Sequence, residues 1–140
     1  MKDQTVMFSA DDPAMNAAIQ QAKATFGQFL QIFFKRSPNQ TAFLIKAFFV
    51  SNGQSEHIWV ADLVFTGDSS HGVLANEPTL PGMKFKQEVK FHPSQITDWM
   101  DIEDGYLVGG YTTRLIRDRL SPDERKTLDA HSPFKIRETV

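Results

Sequence analysis

An α+β domain with a mainly antiparallel, bent sheet is the fold class that this sequence predicts. Three observations predict it. One long apolar stripe of helical period lies near the N-terminus, short apolar segments separated by turn residues fill the middle, and helix-start chemistry returns near the C-terminus. The 140 residues have the size of one domain, expected to span 1–140, with 1–9 as an arm or tail. A chain of this size removes roughly 70% of its unfolded surface from water on folding. Hydrophobic residues make up 41% and charged residues 23% of the chain; both values are near the globular average, so the core needs no staples. Phe outnumbers the other aromatics, 12 against 2 Trp and 2 Tyr, so Phe burial is expected to carry much of that core.

Asp12-Pro13 reads as a helix start, with Asp12 as N-cap and Pro13 in the first turn. Met15, Ala18, Ile19, Ala22, Phe26, Phe29, Leu30 and Phe33 follow at spacings of three and four, which predicts a helix over about 13–34, ending before Ser37-Pro38. Gly27 costs such a helix about 1 kcal/mol relative to Ala, so a close packing contact or a kink is expected there. Thr41–Val50 is apolar and aromatic apart from Lys46, as in a strand buried on both faces. Asn52-Gly53 is a strong turn signal, and Glu56–Phe65 completes a hairpin. A short strand over 72–77 and an alternating strand over 85–91 follow. In the latter, Phe85, Gln87, Val89 and Phe91 face one way and Lys84, Lys86, Glu88 and Lys90 the other. Strands over 96–102 and 106–111 flank the tight turn Asp104-Gly105. The expected total is five or six strands. A helical segment over 112–120 and a capped helix from Ser121-Pro122-Asp123-Glu124 to about Ala130 close the chain.

No cysteine is present, which excludes disulfides, Cys-ligated zinc, iron–sulfur clusters and a thiol nucleophile. The formal net charge of −2, from 15 basic and 17 acidic residues, counts against nucleic acid as the main partner. Met1–Ala10 carries no apolar run of signal-peptide length, and no stretch nears the roughly 18 apolar residues of a membrane span. A cytoplasmic location without a membrane partner is the expectation.

Nucleotide, zinc-protease, calcium and serine-hydrolase signatures are missing. The four histidines, His57, His71, His92 and His131, have no local metal-ligand spacing, so neither a metal nor a cofactor is expected. The residues that remain form a candidate binding surface: His57, Trp59, Asn76, Asp98, Trp99, Tyr111 and Arg114. On a strand, His57 and Trp59 share a face while Asp62 points away, so His57 and Asp62 form a dyad only if a bulge re-aims one of them. Asn76-Glu77-Pro78 has ordinary turn chemistry. Asp98 is awkward in a strand and calls for a partner, for which the planar fork of Arg114 is the expected choice. Gly109-Gly110 ahead of a helix start offers room for a ligand anion, or for a bulge or close packing.

Several strings in order resemble one bacterial family. They are Asp12-Pro13-Ala14-Met15-Asn16-Ala17-Ala18-Ile19, His57-Ile58-Trp59-Val60, Gly72-Val73-Leu74-Ala75-Asn76-Glu77-Pro78, Gln95-Ile96-Thr97-Asp98-Trp99-Met100 and Gly109-Gly110-Tyr111-Thr112-Thr113-Arg114. The chain is similar over about 12–136 to the domain-of-unknown-function family numbered 2314, the YegJ-like proteins, and departs mildly in the Phe-rich stretch 43–49. The resemblance carries over no catalytic residue and no cofactor. It implies a small bacterial domain that in some members stands beside ankyrin repeats, which points to an interaction module of the toxin-immunity kind.

Three functional readings follow. The first is a non-catalytic binding or interaction domain whose partner is another protein, because aromatic residues and Arg make up binding hot spots. The second is a small hydrolase-like enzyme using His57, Asp98 and Arg114, which requires these groups to converge. The third is a single-stranded nucleic-acid binder using the aromatics as stacking platforms. Oligomeric state and strand order are not encoded in any of these signals.

Overall fold

The computed structural model describes residues 12–66 and 69–137. The expected arm at 1–9 and Gly67-Asp68 of one expected turn lie outside the described residues. A long helix, α1 (Pro13–Phe34), is followed by six strands: β1 (Gln40–Ser51), β2 (Gln54–Val64), β3 (Ser70–Leu74), β4 (Glu88–Phe91), β5 (Ile96–Glu103) and β6 (Tyr106–Gly109). Two short helices, α2 (Tyr111–Asp118) and α3 (Pro122–His131), close the fold. This is the predicted α+β class. The sheet is antiparallel throughout, in the order β4-β3-β2-β1-β5-β6.

The stripe on α1 buries Met15, Ile19, Ala22 and Phe29. Phe29 meets Trp99 with ring centroids 5.4 Å apart and Phe43 at 6.0 Å. Ile45, Ala47, Ile58 and Val60 join them in the core. Strand alternation therefore assigns one sheet face to α1 and turns Lys46, Trp59 and Asp98 to the other. Asp12 caps α1 by accepting a hydrogen bond from Met15 N at 3.1 Å. The same carboxylate pairs in bidentate fashion with Arg119 (2.7 and 2.9 Å), which ties the start of α1 to the end of α2.

Two expectations need correction. The strand expected over 85–91 is regular only over Glu88–Phe91, although Lys86 N and Gln87 O still bond Leu74. Lys86 adopts φ 70° and Gln87 N bonds Lys84 O at 3.0 Å, so a turn breaks the alternation and Phe85 stays 46% exposed. Gly27 makes no close contact either: a Cβ built there meets nothing within 4 Å.

The glycines on either side of this contrast give a test. Gly27→Ala is expected to raise stability by up to about 1 kcal/mol, because it adds helix propensity at an open position. Gly109→Ala is expected to lower it by more than about 1–2 kcal/mol, the cost of a left-handed non-glycine residue. Gly109 has φ 74°, and its added Cβ lies 2.5 Å from Trp99 O. Denaturant midpoints of the two variants, measured at constant slope, check both signs.

Candidate functional site

Of the seven candidate residues, Trp59 and Asp98 flank Lys46 on three adjacent strands. The registers Lys46↔Trp59 and Lys46↔Asp98 make the three direct neighbours. Lys46 was a mere exception to an apolar run in the sequence, yet it organises this row. Its ammonium lies 4.9 Å from the Trp59 ring centroid and donates to Thr112 Oγ1 at 2.9 Å. Burial pulls Lys46 down to about 8, and the negative charge of Asp98 opposes that shift.

Asp98 is fully buried and is consumed by structure. One carboxylate oxygen accepts from Trp99 N at 2.8 Å and Tyr111 N at 3.1 Å. The other accepts from Thr112 N at 2.9 Å and from the Thr112 hydroxyl. The N-cap position of α2 is Gly110, which has no side chain to cap with. A carboxylate from β5 thus fills the anion position expected at that helix start. Burial raises the pKa of Asp98, while the Thr112 hydroxyl, Lys46 and the two backbone donors act the other way.

The expected pairing of Asp98 with Arg114 is not formed. Arg114 Nε donates to Gly109 O and its terminal nitrogen to Leu107 O, each at 2.8 Å. Asp98 has its four donors from the start of α2 and from β5, and Arg114 straps the end of β6 instead. Gly110 N bonds Trp99 O at 2.7 Å. Gly109 and Gly110 therefore serve close packing on Trp99 and Leu107.

His57 Nδ1 lies 3.0 Å from Thr97 Oγ1, and its ring lies 4.8 Å from that of Phe48 at a tilt of 56°. Burial first, then the positive charges of Lys46 and Lys23, push this imidazole down to about 4. Such a ring is neutral but weakly basic, unlike a general base poised near neutrality. Asp62 does lie at a bulge, with φ 51° and a register shift between Ala61 and Val64. It lines a different part of the molecule from the Thr97-bound His57. Asn76 Oδ1 accepts from Trp59 N at 2.8 Å and so extends the ladder beyond β3. Trp99 is 2% exposed. It donates to Thr25 Oγ1 at 3.1 Å and meets Tyr111 edge-on at 5.9 Å. It offers no open stacking face. The Lys46–Thr112 pair has the composition of a lysine-activated hydroxyl nucleophile, but Thr112 is fully buried and its hydroxyl donates to Asp98.

Sequence reading missed a second region altogether. The β1–β2 ladder runs from Ser51↔Gln54 to Ile45↔Val60 and stops. Beyond it a cavity of about 440 Å³ opens between Gln40–Leu44 and Ala61–Leu63, with Phe33 and Arg36 at its side. Arg36 lies 4.8 Å from the Phe33 ring centroid and 5.3 Å from that of Phe43. Neither Arg36 nor Asp62 has an ion-pair partner among the described residues. Phe34, 65% exposed, packs against Phe33 and Phe65 nearby. A hollow of about 520 Å³ shares Ala61 and Asp62 with this cleft and is bordered by Phe85 and Lys86. The signal that opens the cleft is a left-handed backbone at Ala42 (φ 56°) and Asp62 (φ 51°), which neither residue type announces.

These environments set two outcomes. Asp98→Ala should cost about 3–5 kcal/mol of folding stability, because it uncaps α2 and leaves Lys46 buried without its counter-charge; chemical denaturation measures this. His57 holds a folded pKa of about 4 against an ordinary 6.5. The unfolded chain therefore takes up a proton that the fold refuses. The stability present above pH 6.5 should be lost progressively as pH falls towards 4. In His57→Gln that loss should be shallower, and imidazole NMR of the parent protein should show His57 neutral at pH 5.5, midway through that window.

Comparison with known proteins places these features in a lineage. The family described as "Uncharacterized protein conserved in bacteria (DUF2314)" matches residues 12–135. The chain is 29% identical over 113 residues to "Uncharacterized protein YegJ" of Escherichia coli (strain K12), covering 80% of this chain and 72% of that protein. It is 32% identical over 130 residues to a putative ankyrin repeat protein of Neisseria meningitidis serogroup B, covering 86% of this chain and 51% of that protein. The chain thus spans about half the length of the ankyrin repeat relative. No solved structure matches it. Among the described residues no helix is long and apolar enough to cross a membrane. With a family match that takes in α1, all six strands and both C-terminal helices, the chain belongs to the DUF2314 family.

Proposed function

We propose that this chain is a non-catalytic interaction domain that contacts another protein at the cleft between β1 and β2. The observation that carries the reading is Arg36, held over Phe33 and Phe43 in a cavity that Asp62 also lines, neither charge having an ion-pair partner among the described residues. An Arg held over aromatic rings in the lining of a cavity has the make-up of a binding hot spot. The exposed Phe34 adds apolar surface at its rim. The ankyrin repeat relative lends support, since stacked repeats present extended binding surfaces. The groups that an enzyme reading requires have other employment: His57 on Thr97, Asp98 on the start of α2, Arg114 on backbone carbonyls. A cytoplasmic location is part of the same proposal, and cell fractionation tests it.

A photo-reactive phenylalanine analogue placed at Thr41, on the cleft, and separately at Lys126, on α3, tests the contact in cells. Cross-links from position 41 to one discrete protein, absent from position 126 and lost when Arg36→Gln is added, are expected. Equal cross-linking from both positions, or cross-links indifferent to Arg36→Gln, would remove the cleft from the proposal.

A further inference from the structure

The cleft also constrains its occupant. Resting on the interaction reading above, we infer that it takes the carboxyl-terminal end of an extended partner peptide, with the terminal carboxylate on Arg36. Three features lead there.

The first is backbone. On its outer side β1 keeps its pairing with β5, through Thr41↔Ile102 and Leu44↔Met100. On its outer side β2 keeps its pairing with β3, through Ala61↔Val73 and Val64↔His71. Both walls of the cleft are therefore strand segments held from behind, with the ladder between them ended. Main-chain hydrogen bonding along such walls is how an extended peptide is recognised without regard to most of its side chains.

The second is closure. The Ile45↔Val60 pair ends the opening at one side, so a strand can enter the wedge but cannot continue through it. A wedge blind at one end suits the end of a chain better than the middle of one. The cavity, about 440 Å³, lies within the size range of specific ligand sites.

The third is charge. Arg36 presents a planar fork with no acidic partner among the described residues, and a carboxylate matches it in bidentate geometry. Asp62 on the opposite wall repels a polyanion. A phosphate backbone is therefore a poor fit, whereas a peptide, with one terminal carboxylate and several N–H donors, is not. Phe33, Phe43 and Leu63 give apolar side chains of the peptide a place to pack.

The test uses the full chain and a degenerate hexapeptide mixture, immobilised through its N-termini and made both as free acids and as carboxamides. The free-acid mixture should retain the protein at least tenfold better than the carboxamide mixture. Arg36→Gln, checked for an unchanged unfolding midpoint, should erase the difference. Amide NMR signals of Thr41–Leu44 and Ala61–Leu63 should shift on adding the soluble free-acid mixture. Equal retention on both mixtures, or on neither, overturns the carboxyl-terminus assignment. The cross-linking at position 41 then decides separately whether the cleft is an interaction surface. Self-association that disappears in Arg36→Gln would identify a second copy of this chain as the occupant and overturn the assignment to a foreign peptide.

Discussion

The buried carboxylate of Asp98 is the constraint on which the C-terminal half of the structure depends. It lies on β5 and caps α2, and it faces Lys46, whose ammonium reaches Thr112 at the start of the same helix. An anion buried without such company would cost several kcal/mol. Here four donors and one cation converge on it, so moving α2 would leave Asp98 and Lys46 stranded together. The position of α2 also sets its far end, where Arg119 holds Asp12 and thereby the start of α1. Arg117 does the same for α3 through a bidentate pair with Asp129 at 2.7 and 2.8 Å. One buried charge on a strand thus fixes the angle of a short helix, and that helix locates two others.

A similar device operates at the other end of the hairpin. Glu56, buried on β2, accepts from Thr79 N, the Thr79 hydroxyl and Leu80 N. It anchors the loop after β3, and Leu80 is drawn into the core. Glu56 and Asp98 each satisfy donors that sequence-local capping cannot reach. That explains their presence in strands, where propensity disfavours them. It also explains why neither is available as a general acid or base.

Much of the fold was legible in the sequence, and the legible parts are those governed by local rules. The period of Met15, Ile19, Ala22, Phe26, Phe29 and Phe33 gave α1 to within a residue, because one wide apolar stripe has one way to be buried. Asn52-Gly53 gave the β1–β2 turn, and Ser121 with Glu124 gave the start of α3 through its reciprocal cap. Candidate site residues were less legible. Asp98 was rightly read as needing partners. Those partners were backbone N–H groups 13 and 14 residues away, which composition does not distinguish from an Arg fork. Lys46 was hidden because a lone cation in an apolar strand reads as an edge or an error. Only the register puts it between Trp59 and Asp98.

The cleft was illegible for a different reason. Continuing the β1–β2 register past Ile45↔Val60 would set Leu44 opposite Ala61 and Phe43 opposite Asp62. Nothing in Thr41-Ala42-Phe43-Leu44 or Ala61-Asp62-Leu63 forbids that ladder. The strands nevertheless leave it, and they do so with left-handed backbone at Ala42 and Asp62, a conformation that costs a non-glycine residue roughly 1–2 kcal/mol. Such a cost persists only where the surroundings over-determine the backbone. The surroundings here are β5 and β3, each of which holds its own partner strand on the far side through a register shift. Re-zipping the wedge in the inner register would therefore require removing the shifts in both outer pairings. Removing those shifts would slide Thr41 against β5 and Val64 against β3 by one residue, and a slip of one residue turns side chains to the opposite face. The outer irregularities thus hold the cleft open, while the row of Trp59, Lys46 and Asp98 lies in the paired part of the same strands.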